Sequence, residues 1–122
     1  MRWATWTLLI GFAFILTSCS DDSEEHVQIR VRNIGQFNYD HVMVSSDGSE
    51  VYFGLISSNR TSEYRPFKFA YPYAFIKYSV DGAEYRIIPD DYLGEEKLKR
   101  GKYTYEVTMD SNKVVTFKFI RD

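Results

Sequence analysis

The chain has 122 residues, with 15 Lys and Arg against 17 Asp and Glu for a formal net charge of −2, one cysteine, and aromatic rings at 17% of positions. That length gives one small domain. The balance of charge removes the electrostatic case for a nucleic-acid partner, and a lone cysteine excludes a disulfide framework or a cysteine-built metal site.

The first 18 residues have the three parts of a secretory signal: Arg2 as a positive start, an apolar run from Leu8 to Leu16, and small Thr17 and Ser18 at the cut. The uncharged stretch from Trp3 to Ser18 is shorter than the roughly 20 residues a membrane-spanning helix needs, which favours a cleaved leader over a retained anchor. The segment Leu16-Thr17-Ser18-Cys19 resembles the lipobox of bacterial lipoproteins. The resemblance implies cleavage before Cys19, a diacylglycerol thioether on its sulfur and acylation of the new amine. Each buried methylene of such chains contributes about 0.8 kcal/mol, so a multiply acylated Cys19 makes the membrane the first expected partner. The alternative, an ordinary signal with an incidental cysteine, leaves an exposed thiol in an oxidising compartment.

Ser20-Asp21-Asp22-Ser23-Glu24-Glu25 follows, with four carboxylates and no apolar residue, and reads as a solvated tether. Cys-Ser-Asp-Asp followed by more acid resembles the lipoprotein-export signals of some Gram-negative bacteria, which implies the outer face of the outer membrane. Ser20 stands where the inner-membrane retention signal of enteric-type lipoproteins has Asp. The eight steps from Cys19 to Val27 span at most about 28 Å, so the folded part is expected close to the bilayer. The expected organisation is a signal peptide at 1–18, the lipidated cysteine and acidic tether at 19–26, and one domain at 27–122. Trp3 and Trp6 leave with the signal, while all ten tyrosines and seven of nine phenylalanines stay. Beyond residue 25 the chain is nearly neutral, with 14 Lys and Arg against 13 Asp and Glu.

From Val27 onward the period is two. Val27, Ile29 and Val31 alternate with Gln28, Arg30 and Arg32, a half-buried strand. A second strand is expected near Tyr39 to Val44, with Asp40, Val42 and Val44 on one face, then a turn at Ser45–Ser49 and a third strand from Val51 to Ile56. After a loop at Ser57–Arg60, Ser62 to Phe69 reads as extended, with Pro66 demoting it to an edge or a bulge. In the next strand, Tyr73 to Val80, residues Ala74, Ile76, Tyr78 and Val80 face inward. Asp81-Gly82 is a two-residue hairpin signal, and Ala83 to Ile88 returns with Tyr85 and Ile87 inward. Tyr92 to Arg100 contains Gly94 and reads as a loop or a single turn. A closing hairpin pairs the run Tyr103, Tyr105, Val107, Met109 with Val115, Phe117, Phe119 across Asp110-Ser111-Asn112.

Seven to eight short strands at this spacing predict an all-β fold, a single antiparallel β-sandwich. The segment from Leu98 to Val107 looks like the turn-plus-strand of Ig-like and transthyretin-like modules of bacterial surface proteins. That resemblance implies the sandwich and carries over no active site.

Chemistry is sparse. There is no Gly-x-Ser-x-Gly, and the histidines are His26 in the tether and His41 on a strand, where Asp40 is expected to point to the opposite face. Asp90, Asp91, Glu95 and Glu96 form an acidic loop that offers oxygens to a calcium ion or an acid/base pair for glycoside hydrolysis. Its spacing is not that of an Asp-x-Asp-x-Asp-Gly loop, and Lys97, Lys99, Arg100 and Lys102 are natural charge partners for a solvated loop instead. The aromatic residues Tyr64, Tyr71, Tyr73 and Phe75 are candidates for a binding row that stacks on a sugar or a protein, unless a second layer covers them. The expectation is a non-enzymatic binding or structural accessory module of the cell envelope. It is lipid-anchored at the outer membrane, faces the medium, needs no cofactor and has a glycan or an envelope protein as partner. The alternatives are a small glycan- or calcium-binding module, an inhibitor or protective lipoprotein with Pro89 to Arg100 as its protruding loop, and a small hydrolase using residues 90–96.

Overall fold

Alternation of apolar and polar residues becomes strand throughout the computed structural model, which describes residues 27–46, 48–89 and 96–122. The signal segment, Cys19 and the acidic tether lie outside the described residues. In chain order the strands are β1 (Val27–Asn33), β2 (Tyr39–Ser46), β3 (Ser49–Ile56), β4 (Arg60–Thr61), β5 (Arg65–Phe67), β6 (Phe75–Val80), β7 (Ala83–Ile87), β8 (Gly101–Met109) and β9 (Val115–Arg121). One sheet has the order β4-β1-β8-β9, with β5 also on β1, and the other β3-β2-β6-β7. The all-β sandwich is therefore present, with nine described strands instead of seven or eight.

One pairing departs from the antiparallel expectation. β1 and β8 run parallel, from Val27 opposite Gly101 to Asn33 opposite Val107. Between them the chain leaves for the second sheet and comes back, so both strands enter from the same end, the long crossover a parallel pair needs.

The tight turns follow local chemistry. Asp81 and Gly82 both have positive φ, 51° and 85°, and close β6 on β7 with Val80 opposite Ala83, as a type I′ hairpin requires. The expected five-residue turn at Ser45–Ser49 shrinks to two residues, because Ser46 pairs with Ser49 and Gly48 takes φ 82°. Ser62 shows how the broken edge strand is patched. Between β4 and β5 its N–H donates to the Val31 carbonyl at 2.9 Å and its hydroxyl accepts from the Val31 N–H at 2.9 Å.

β2 corrects the expected facing of Asp40. Tyr39 pairs with Ile56 and Val42 with Gly54, so β2 carries one extra residue there. Val42 with Gly54 then gives way to Met43 with Tyr52, so β3 carries one extra in turn. His41 and Gly54 absorb these bulges with φ 51° and 75°. Tyr39, Val42 and Val44 consequently share the core, while Asp40 is exposed. Met43 faces the other way and is still only 4% exposed, set between Tyr52 and Lys77.

The core between the sheets takes Val27, Ile29, Val31, Tyr103, Tyr105, Val107 and Met109 from one side and Tyr39, Val42, Val44, Ile76, Tyr78 and Val80 from the other. Tyr39 and Tyr78 meet with ring centroids 4.5 Å apart, and Tyr105 lies against Phe117 at 5.2 Å. Buried Asn33 ties off one end. Its Nδ2 donates to the Phe37 and Ile56 carbonyls at 2.7 and 2.9 Å, and its Oδ1 accepts from the Gly35 N–H at 2.8 Å.

Candidate functional site

The opposite end, where β1 and β8 begin and β9 finishes, gathers the segment before β6 and the segment before β8. Three hydrogen bonds hold these two segments to each other and to the core. The Leu98 N–H donates to the Ala70 carbonyl at 2.8 Å, the Tyr105 hydroxyl to the Tyr71 carbonyl at 2.6 Å, and the Tyr103 hydroxyl to the Lys99 carbonyl at 2.7 Å. Two inward tyrosines of β8 thus mount both segments. Burial pushes the Tyr105 hydroxyl well above the usual phenol range, against the bond to Tyr71 that lowers it, so it stays a neutral donor at physiological pH.

On that mount Tyr71 and Tyr73 stack, with centroids 5.5 Å apart and planes within 10°. Pro72 between them explains the geometry. Proline fixes its own φ and restricts the preceding residue, and the chain bends at Pro72, so the two flanking rings are held in a fixed relation. Both rings are half-buried. Beside them is a cleft of about 290 Å³ lined by Pro72, Glu96, Lys97, Leu98, Lys99, Tyr103 and Arg121. Lys97 Nζ sits 3.9 Å from the Phe69 ring centroid, and Phe69 is 42% exposed. Aromatic surface next to three cations and one carboxylate can stack on a ring and bond its polar rim.

The four aromatic candidates do not form one row. Tyr71 and Tyr73 are together, and Phe75 begins β6 on the outer face, half-buried and opposite Ser45. Tyr64 belongs to the outer face of the other sheet, its hydroxyl donating to Asp122 Oδ2 at 2.6 Å. Its ring lies 4.8 Å from the Arg30 guanidinium and 5.1 Å from Lys102 Nζ. Arg30 Nε donates to Thr104 Oγ1 at 3.0 Å, and Thr104 Oγ1 donates to Asp122 Oδ2 at 2.7 Å. Desolvation alone would raise the Asp122 carboxyl. The bonds from Tyr64 and Thr104 and the charges of Arg30 and Arg32 outweigh it and hold the carboxyl below its ordinary value.

Of the acidic candidates, Asp90, Asp91 and Glu95 lie outside the described residues, and Glu96 is exposed at the cleft. Among the described residues no three His, Cys, Asp or Glu come together as a metal site. His26 also lies outside the described residues. The rule that Asp40 and His41 point apart fails at the β2 bulge. Asp40 Oδ1 accepts from the His41 N–H at 3.0 Å and lies 3.7 Å from His41 Nδ1, with the two side chains 56% and 84% exposed. His41 is solvent-facing, as expected.

The sequence offers Lys97 and Lys99 only as charge partners and gives Pro72 and Arg121 no role as lining residues. The Tyr-Pro-Tyr triplet was the available signal for the first. Nothing local marks Arg121, which joins the cleft only because β9 pairs beside Tyr103.

Among the described residues no helix is long and apolar enough to cross a membrane. No protein-family model matches the chain, and no curated protein matches it in sequence. A protein from Eubacterium rectale solved by NMR is similar in structure, with a TM-score of 0.61 and 17% identity, covering 85% of this chain and 97% of that one. At that identity the likeness speaks to the fold alone.

Proposed function

We propose that the protein is a lipid-anchored, non-enzymatic binding module of the bacterial outer membrane, facing the medium, whose Tyr71–Tyr73 stack and adjoining cleft take a glycan. The observation that carries the binding reading is the stack itself. Two half-buried rings are fixed by Pro72 and by the Tyr105 hydroxyl, an ordered aromatic surface that costs little entropy to present. The lipobox-like Leu16-Thr17-Ser18-Cys19 and the acidic tether support the anchor and the address. Val27 begins β1 at the same end as the stack, so a ligand belonging to the envelope would lie within reach of an anchored domain.

Two measurements test the two parts. Mass analysis of the native protein should find Cys19 as the first residue carrying acyl chains; a bare Cys19 or a retained leader removes the anchor. Calorimetry against envelope glycans should show Tyr71→Ala weakening binding about 2- to 10-fold, the worth of one aromatic contact, while unfolding stays cooperative. Unchanged affinity in a folded Tyr71→Ala variant removes the stack as the binding surface.

A further inference from the structure

The described strands leave four outer edges, on β3, on β4 with β5, on β7 and on β9. An edge presents a row of unpaired N–H and C=O groups, and proteins usually blunt it. Three of these edges are blunted. β3 is bulged at Gly54, with φ 75°. The β4–β5 edge is interrupted between Thr61 and Arg65 and carries Pro66. β7 has five residues and exposes the charged pair Glu84 and Arg86.

β9 carries charges at Lys118 and Arg121 but is neither bulged, interrupted nor short. Its seven residues Val115–Arg121 contain no proline or glycine, and its register on β8 is unbroken from Met109 opposite Val115 to Tyr103 opposite Arg121. The direction of its backbone groups follows from the two ends of that hairpin. Asp110 N–H donates to the Val114 carbonyl and Asp122 N–H to the Lys102 carbonyl, each at 3.1 Å. Hydrogen-bonded pairs alternate along an antiparallel ladder. Thr116, Lys118 and Ile120 therefore turn their backbone groups toward β8, and Val115, Phe117 and Phe119 turn theirs toward the free edge. The side chains of these last three are only partly buried against the core. The edge thus offers free hydrogen-bonding groups and incompletely covered apolar side chains on the same residues.

We infer that β9 pairs antiparallel with β9 of a second copy of this chain about a two-fold axis at Phe117, joining two four-strand paths into one continuous sheet. A two-fold contact needs a surface complementary to itself, and this register supplies it. Phe117 opposes Phe117 of the second copy, and Val115 opposes Phe119, so every half-covered apolar side chain meets another. On the outer face Lys118 lies between its own Glu106 neighbour on β8 and the Thr116 hydroxyl of the other copy. Moving the axis to Lys118 would set two ammonium groups face to face, which is unfavourable. Moving it to Phe119 would oppose Phe117 to charged Arg121. The contact uses no residue of the Tyr71–Tyr73 stack and does not depend on the anchor.

Disulfide trapping with the full chain in detergent tests the register. Thr116 and Lys118 of opposite copies form a non-hydrogen-bonded pair with Cα atoms about 4.5 Å apart, within disulfide range. Thr116→Cys and Lys118→Cys are prepared separately, oxidised alone and as a mixture, and run beside the unsubstituted chain, which keeps Cys19. The expected result is a covalent dimer specific to the mixture, from variants whose melting matches the parent. No added dimer in the mixture, or a dimer from Lys118→Cys alone, overturns the inference. A Glu84→Cys and Arg86→Cys mixture on the β7 edge that cross-links as strongly would overturn it too, since the contact would then be random collision.

Discussion

Asn33 does the work of a small loop by itself. It is 0% exposed, and its three hydrogen bonds satisfy backbone groups of Gly35, Phe37 and Ile56. Removing one partner of such bonds strands buried groups at about 1–3 kcal/mol. Asn33→Ala should therefore lower the unfolding free energy by at least that much, read in a urea titration as a lower midpoint with little change in slope. Gly35 next door has no room for a side chain, since a Cβ there would lie 2.5 Å from the Tyr39 hydroxyl and 3.0 Å from the Met109 backbone. Gly35→Ala should cost about 1–3 kcal/mol by overpacking, read in the same titration. Position 33 continues the inward phase of Val27, Ile29 and Val31, so its burial was legible. Its partners come from residues up to 23 positions away, and a pattern of period two carries no information about those. At the surface, the depressed Asp122 carboxyl favours the folded state above the ordinary carboxylate value and loses that contribution as pH falls through its lowered value. Tyr64→Phe should flatten the acid limb of a melting curve by weakening that preference.

At the scale of elements, the hairpins were legible because turn chemistry is local. Asp81-Gly82 specifies positive φ at both positions, and the alternating runs on either side fix the register. The β8–β9 turn reaches a similar end with a less suited residue. The Lys113 N–H donates to the Asp110 carbonyl at 2.9 Å while Lys113 holds φ 67°, a conformation that favours glycine. Lys113→Gly should raise the melting temperature modestly, by under about 1 kcal/mol of stability; a fall would show that the Lys113 contact over Phe37, 5.2 Å to the ring centroid, outweighs the relieved strain. The paired bulges of β2 and β3 were not legible. Each adds one residue, and their effects on facing compensate, so the cost of one is visible only against the other.

For the whole molecule, the core is a tyrosine core. Residues 27–122 contain neither Trp nor Cys, and Tyr39, Tyr78 and Tyr105 are buried between the sheets. Burial pushes the Tyr39 hydroxyl up to about 12, opposed by a backbone hydrogen bond, and raises Tyr78 and Tyr105 as well. A group whose folded value is raised contributes its full stability below the unfolded value, near 10, and loses it as pH rises through the folded value. The protein should thus weaken between about pH 10 and 12, and absorbance near 295 nm should show these tyrosines ionising only as the fold melts. Their smooth titration in a still-folded protein would contradict that burial.

The sequence alone determined the all-β class and the inward faces of most strands, the bulged β2 excepted, because side-chain alternation and turn residues act over a few neighbours. Aromatic density also singled out Tyr71 and Tyr73, in one set with Tyr64 and Phe75. Tertiary structure decided what depends on strands distant in the chain: the parallel β1–β8 pair, the move of Tyr64 to the Arg30–Asp122 cluster, the arrival of Arg121 at the cleft and the position of β9 at a sheet edge. Those follow from which strand lies beside which. That choice is made by burying the two apolar faces against each other, an interaction that depends on area and carries no address in the local sequence.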